Sequence, residues 1–266
     1  MPDDRVTTDL ADAIAAAAAE AGKLALDSWE TDFRRWEKVP GSPVCDIDLA
    51  VDELLKQRLK AIDPDAGWLS EETADTNARL DGRRVWVVDP IDGTRDYLRG
   101  RSGWCVSVAL VEDNVPIVGI LDAPARNEHW RAVVGQGAIR NGEALHASMR
   151  LELPGSRVPA DTLPKIDEDL IAVPRANSIA LRVAMVAANE ADLCASLRWG
   201  NEWDIAAAAL IAEEAGAVVT DALGLPIRYN SDPAATFGVM ASAPAIHTAA
   251  VARLAERAAA ASIKPR

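Results

Sequence analysis

Apolar residues recur at helical spacing over residues 8–29, where Leu10, Ile14, Ala17, Ala21 and Leu24 share one face. They do so again over residues 48–62, through Val51, Leu54, Leu55, Leu59 and Ile62. The first predicted helix opens near Thr8 or Asp9, either of which can cap it. Asp63-Pro64-Asp65 ends the second, because a residue before proline avoids helical backbone. Residues 32–43 carry Pro40, Gly41 and Pro43 and are predicted as a loop. The period then changes from helical to two-fold. Val85-Trp86-Val87-Val88 reads as a short buried strand that Pro90 stops. Residues 105–111, 115–121 and 128–134 read as strands, with turns at Glu112-Asp113-Asn114, Gly135-Gln136-Gly137 and Asn141-Gly142. Such a meander predicts a largely antiparallel sheet.

Residues 148–168 are rich in proline, charge and short polar side chains, which places a subdomain boundary there. Residues 1–150 are expected to form an N-terminal α+β unit and residues 151–266 a smaller α/β unit. In the second half strand and helix alternate, as in a layered unit. Strands are predicted over 170–173, 217–221 and 237–242, helices over 178–188, 205–215 and 244–261, and a turn at Gly224-Leu225-Pro226. The tail from Ser262 is expected to fray.

Composition narrows the function. The chain has 266 residues, 49% of them hydrophobic, enough for one large or two modest cores. No apolar run is long enough to span a membrane, and the acidic start (Asp3, Asp4) is unlike a signal peptide. A net charge of −13 argues against nucleic-acid polymers and anionic membranes as partners. It argues equally against a phosphorylated substrate, unless bound divalent cations invert the local field. Cys45, Cys105 and Cys194 are scattered and odd in number, as expected of reduced thiols in a cytoplasm. His129, His146 and His247 lack ligand spacing and read as surface or loop residues, which disfavours zinc.

The most informative run is Asp89-Pro90-Ile91-Asp92-Gly93-Thr94. Two carboxylates at a strand end can hold hard cations. The N–H groups of Gly93 and Thr94, opening a helical turn, can receive a phosphate. A covalent aspartyl-phosphate route is unsuited, because Pro90 stands where an Asp-x-Asp-Gly-Thr motif needs its nucleophile. Two further acidic clusters are Glu71-Glu72 and Trp203-Asp204. Taken singly, each acid also fits a plain role: solvated loop acids, a turn cap at Asp89, a helix N-cap at Asp204. Together, Glu71, Asp89, Asp92 and Asp204 suit one cleft that gathers Mg²⁺ for phosphate ester hydrolysis.

These segments resemble the inositol monophosphatase superfamily of Mg²⁺-dependent, lithium-sensitive phosphatases. The matching stretches are Ser42-Pro43-Val44-Cys45-Asp46-Ile47-Asp48, Ser70-Glu71-Glu72-Thr73, Asp89 to Thr94, and Trp203-Asp204 with Ala206-Ala207 and Glu214-Ala215-Gly216. The resemblance implies a mixed α and β fold, a layered α-β-α-β-α sandwich, assembled as a homodimer. It also implies two to three Mg²⁺ ions. Glu71, Asp89 and the Ile91 carbonyl would hold the first; Asp89, Asp92 and Asp204 the second; Glu71 a looser third. Asp48, Thr94 and Glu71 would be catalytic, orienting and deprotonating the attacking water, and Gly93 and Thr94 would cradle the phosphate. Two positions depart from the family's habits. Ser70 stands where glycine is frequent, and Cys45 takes the threonine place of a Val-Thr-x-x-Asp pattern; neither removes a carboxylate.

Substrate choice rests on less. The acidic sugar-binding position of inositol-preferring members is Leu197 here. Asp92 to Leu98, Val106 to Val111 and Pro116 to Gly119 resemble the 3′-phosphoadenosine 5′-phosphate phosphatases of sulfate assimilation. Arg95, Arg99, Arg101 and Arg198 would meet the second phosphate of such a nucleotide, and Trp104 or Trp199 its base. Asp204 would also touch substrate. Fructose 1,6-bisphosphate and inositol phosphate are the alternative substrates, and a metal-binding regulatory protein without catalysis the alternative class.

Overall fold

The computed structural model describes residues 8–39 and 42–262. Asp3, Asp4, Pro40, Gly41 and the tail beyond Ser262 lie outside the described residues. Two helices follow the predicted apolar faces: α1 (Thr8–Ser28) buries Ala11, Ile14, Ala18, Ala21 and Ala25, and α2 (Asp46–Ile62) buries Val51, Leu55 and Leu59. The stretch between them is not the loop predicted. β1 (Arg35–Val39) pairs antiparallel with β2 (Ser42–Cys45), and Pro43 sits opposite Glu37. A two-stranded ladder has open edges, so a missing proline N–H costs it little.

The central sheet has seven strands in chain order: β3 (Gly67–Ser70), β4 (Arg84–Asp92), β5 (Cys105–Glu112), β6 (Val115–Ala123), β7 (Glu128–Val133), β8 (Gly137–Arg140) and β9 (Glu143–Ala144). Every neighbouring pair is antiparallel except β3 with β4. A short helix, α3 (Thr94–Tyr97), follows β4. Side chains alternate between the faces. Trp86, Val88, Val106, Val108 and Leu110 pack toward α1 and α2, whereas Val85, Val87, Ala109 and Val111 pack toward α4 (Ile179–Ala187) and α5 (Ala206–Glu214). With both faces covered, β4 and β5 read as near-continuous apolar runs. Gly119 on β6 lets α5 lie close, since a Cβ there would stand 2.6 Å from the Ala207 carbonyl oxygen.

Beyond α4 and α5 comes a second, three-stranded sheet in the order β12 (Leu193–Asn201), β14 (Ala235–Ser242), β13 (Val218–Thr220), all antiparallel. The helix α6 (His247–Ser262) covers its far side through Ala250 and Leu254. A parallel pair, β10 (Arg157–Pro159) with β11 (Ile171–Val173), precedes it in the chain. The layers therefore run α-β-α-β-α, as the resemblance implies. β12 escapes the sequence pattern because only Leu193 and Cys194 are buried, and a register shift between Ser196 and Trp199 breaks its alternation. His247 is also not the surface residue expected. It is buried between Ser242 Oγ, 2.9 Å from Nδ1, and Thr220 Oγ1, 3.1 Å from Nε2, and burial lowers its pKa.

Candidate active site

Pro90 does not stop β4. The strand runs on to Asp92, with an irregularity in its pairing: Asp89 lies opposite Ser107 and Asp92 opposite Cys105, three residues against two. A bulge accommodates a residue that cannot donate and re-aims its neighbours. Asp89 Oδ1 accepts from the Ile91 N–H at 3.0 Å. Gly93 then adopts φ +97°, where a Cβ would collide with the Gly103 carbonyl oxygen at 2.6 Å. Only glycine fits both constraints. Thr94, first residue of α3, places Oγ1 3.0 Å from the Ile91 carbonyl oxygen and 3.4 Å from Asp48 Oδ1.

Asp48 comes from the first turn of α2. Its Oδ2 accepts from the Cys45 N–H at 2.8 Å and from the Cys45 thiol at 2.9 Å. Cys45 thus takes over the capping contact expected of a hydroxyl. Burial, then the Asp48 charge, pushes its thiol up to about 12, so it is an inert cap. Glu71 follows β3 on a loop held from beneath by Asp52, which accepts from Ser70 Oγ at 2.5 Å and Thr73 Oγ1 at 2.7 Å. Ser70, the departure from glycine, is therefore an anchor for the loop. Asp204 ends a 3₁₀ turn (Glu202–Asp204) ahead of α5, and its Oδ2 accepts from the Asn201 N–H at 3.1 Å. It does not cap α5, whose N-cap, Ile205, makes no side-chain bond.

Glu71, Asp89, Ile91, Asp92, Gly93, Thr94 and Asp204 line one cavity of about 280 Å³. Asp48 touches it through Thr94. Burial raises the Asp89 pKa well above the usual range, and the charges of Glu71, Asp92, Asp204 and Asp48 raise it further. Asp204 is raised likewise, by burial, then Asp92 and Glu71. Burial lifts Asp92 to about 6, against hydrogen bonds from Ser178 and Ala180 and the charge of Arg182. Asp89 and Asp204 have no positive charge among the causes of their shifts, and the charge of Arg182 offsets only part of the rise at Asp92. Carboxylate and carbonyl oxygens are the hard donors a divalent cation takes, so the donor set fits Mg²⁺. Among the described residues, no three His, Cys, Asp or Glu side chains yet stand at metal-cluster spacing. Asp89, Asp92 and Asp204 each turn one oxygen to a backbone N–H instead.

A second cavity, about 590 Å³, adjoins the first and shares Arg95, Asn177, Ile179, Arg182, Asn201 and Asp204 with it. Arg175, Arg198 and Trp199 line the larger one alone, and Trp199 is 40% exposed beside Phe237. Of the arginines nominated from sequence, Arg95 reaches both cavities and Arg198 the larger; Arg99 and Arg101 line neither. Trp104 is no stacking platform: it is fully buried, edge-on to Tyr97 at 5.0 Å and to Trp29 at 6.0 Å. Sequence reasoning missed Ser178, Arg182, Asn177 and Asn201. The start of a predicted helix at residue 178 was the only signal, and it spoke of structure rather than chemistry.

The five layers enclose an acidic cleft whose oxygen donors fit a divalent cation. A model of the inositol monophosphatase family matches residues 7–260, and the chain belongs to that family of phosphatases. It is 32% identical to a histidinol-phosphatase of Mycobacterium tuberculosis, over 79% of this chain and 85% of that protein. It is 27% identical to the 3′(2′),5′-bisphosphate nucleotidase CysQ of Aggregatibacter actinomycetemcomitans, over 85% and 89%. An IMPase structure from Thermotoga maritima superposes with a TM-score of 0.82 at 28% identity, covering 94% of this chain and 98% of that one. The activities of these relatives differ, so the family establishes the reaction type and leaves the ester open.

Proposed function

We propose that the protein is a Mg²⁺-dependent phosphomonoesterase that hydrolyses 3′-phosphoadenosine 5′-phosphate to AMP and phosphate. The observation that carries this reading is the junction of two cavities of opposite character at Asp204, Arg95 and Arg182. One is lined by buried carboxylates, the other by four arginines and an exposed indole. A substrate with two phosphates and a flat base spans both: the scissile phosphate among the acids, the second against Arg95, Arg175, Arg182 and Arg198, and the base against Trp199. A sugar bisphosphate would use the arginines but has no flat base to lay against Trp199.

Glu71, Asp89, Asp92, Asp204 and the Ile91 carbonyl would hold two to three Mg²⁺ ions. When bound, these ions supply the charge neutralisation and the acidified water that phosphate ester hydrolysis needs. The N–H groups of Gly93 and Thr94 receive the phosphate. Thr94 Oγ1, between Asp48 and the Ile91 carbonyl, passes a proton toward Asp48 as Glu71 orients the nucleophile. The water oxygen forms a P–O bond as the ester P–O bond breaks in line, and the proton taken up through Thr94 and Asp48 is returned to the leaving oxygen, so no covalent phosphoenzyme forms.

The free, buried cysteines suit a cytoplasmic location, and among the described residues no helix is long and apolar enough to cross a membrane. We further propose a homodimer, and a role in removing the nucleotide by-product of sulfate assimilation. A panel of phosphate esters ranked by kcat/KM in Mg²⁺ tests the substrate. The nucleotide bisphosphate is expected to lead. A nucleotide ranking far below fructose 1,6-bisphosphate, inositol phosphate and histidinol phosphate would overturn the choice.

A further inference from the structure

We infer that Ser178 is a positioning residue that sets the Asp92 carboxylate, and with it the affinity of the centre for a divalent cation. Asp92 Oδ2 accepts two hydrogen bonds from the start of α4: Ser178 Oγ at 2.5 Å and the Ala180 N–H at 2.8 Å. A serine hydroxyl has one proton, and here it goes to Asp92. The same oxygen accepts from the Leu181 N–H at 2.9 Å, which closes the N-cap of α4. The Ser178 N–H in turn donates to the Gly103 carbonyl oxygen at 2.9 Å, the group that forbids a side chain at Gly93. Ser178 is fully buried, so no water substitutes for its hydroxyl.

This chain of bonds ties the end of β4 to α4. With Oδ2 held by two donors, Oδ1 is the Asp92 oxygen left to meet a cation. The helix so anchored also carries Ile179 and Arg182, which line both cavities. Arg182 is itself fixed near the helix start, donating from Nε to the Ser178 carbonyl oxygen at 3.2 Å and from Nη2 to that of Asn177 at 3.1 Å. One serine therefore aligns a cation ligand and an anion-binding arginine on a common support. Outer contacts of this kind commonly govern metal affinity by about 10- to 100-fold.

A helix cap alone would explain the Leu181 bond but not the bond to Asp92, and the two roles separate by mutation. Glycine is well tolerated at an N-cap, yet it donates nothing to Asp92. Mg²⁺ is titrated calorimetrically into full-length wild type, S178G, S178T and D92N without substrate, and the metal-free thermal midpoints are recorded alongside. S178G is expected to bind Mg²⁺ on the order of tenfold more weakly with a midpoint near wild type, and S178T to restore affinity. Wild-type affinity in S178G, with D92N impaired, would overturn the inference alone. So would an S178T as weak as S178G. Because the inference rests on Asp92 as a cation ligand, wild-type affinity in D92N would instead sink the reading of the site. Should S178G fail to fold, S178C, close in shape but a weak donor, takes its place under the same criteria.

Discussion

Asp192 and Asp89 are equally buried, each 2% exposed, yet they titrate in opposite directions. Asp192 stands just before β12, where Arg157 of β10 donates to both of its oxygens and Ser148 Oγ to one. Although burial raises its pKa, those bonds and the Arg157 charge bring it down to about 2. Asp89 has a single backbone donor and four acids around it, and is raised. The difference teaches how to tell a structural acid from a functional one. Asp192, which serves the fold, comes with its cation. On the proposed reading Asp89, left among other acids, takes its cation from outside.

Substitutions should separate the two regions. Asp92→Asn or Asp89→Asn is expected to lower phosphate release by at least ~10³-fold in saturating Mg²⁺, since each removes a ligand and a charge from the centre. Without Mg²⁺, both variants should melt above wild type at pH 8, because they relieve like-charge crowding. Activity near wild type in either variant would erase the distinction.

pH sharpens the contrast. The Asp92 pKa is raised from 3.8 to about 6 in the folded protein. The folded state therefore binds more protons between those values, and stability present below pH ~4 is lost as pH rises through about 6. In chelator, thermal midpoints should fall over that window and then level off, and Mg²⁺ should restore them. Mg²⁺ binding should weaken below pH 6 and release protons at neutral pH. Asp192 behaves in reverse: its contribution is present above pH ~4 and lost as pH falls toward 2. Asp192→Asn should cost about 1–2 kcal/mol at pH 7, reduced by the partial exposure of Arg157, with turnover unchanged. A loss of turnover there would show that the structural acid is not separable from the centre.

Two smaller effects lie outside the acids. Arg198→Ala should raise KM for the nucleotide bisphosphate up to tenfold, about 1.4 kcal/mol, and leave small monoesters untouched. Cys45→Thr should change kcat/KM by less than about twofold, as a hydroxyl can take over the bond to Asp48. In the native protein the Cys45 thiol, raised to about 12, should resist alkylation at pH 8.

Much of this was legible in the chain. The apolar stripes of α1 and α2 and the runs of β4 to β7 announce layers, because both depend on local period and burial. Asp89 and Asp92 were legible because they sit where an apolar run ends, and Glu71 because it belongs to a paired acidic cluster. The rest depends on contacts distant in sequence. The β1–β2 hairpin has no apolar alternation. The extension of β4 through Pro90 requires a bulge matched to β5. Ser178 and Arg182 gain meaning only when α4 lands against Asp92, 86 residues from Ser178. Trp104 and Trp199 look alike in sequence, and only packing separates a core ring from an exposed one.

The most direct test is a crystal of the wild-type protein soaked in Mn²⁺, read by anomalous scattering. The account predicts peaks bounded by Glu71, Asp89, Asp92 and Asp204, with the Ile91 carbonyl turned toward them. Peaks elsewhere on the surface, or none in that cleft, would contradict it.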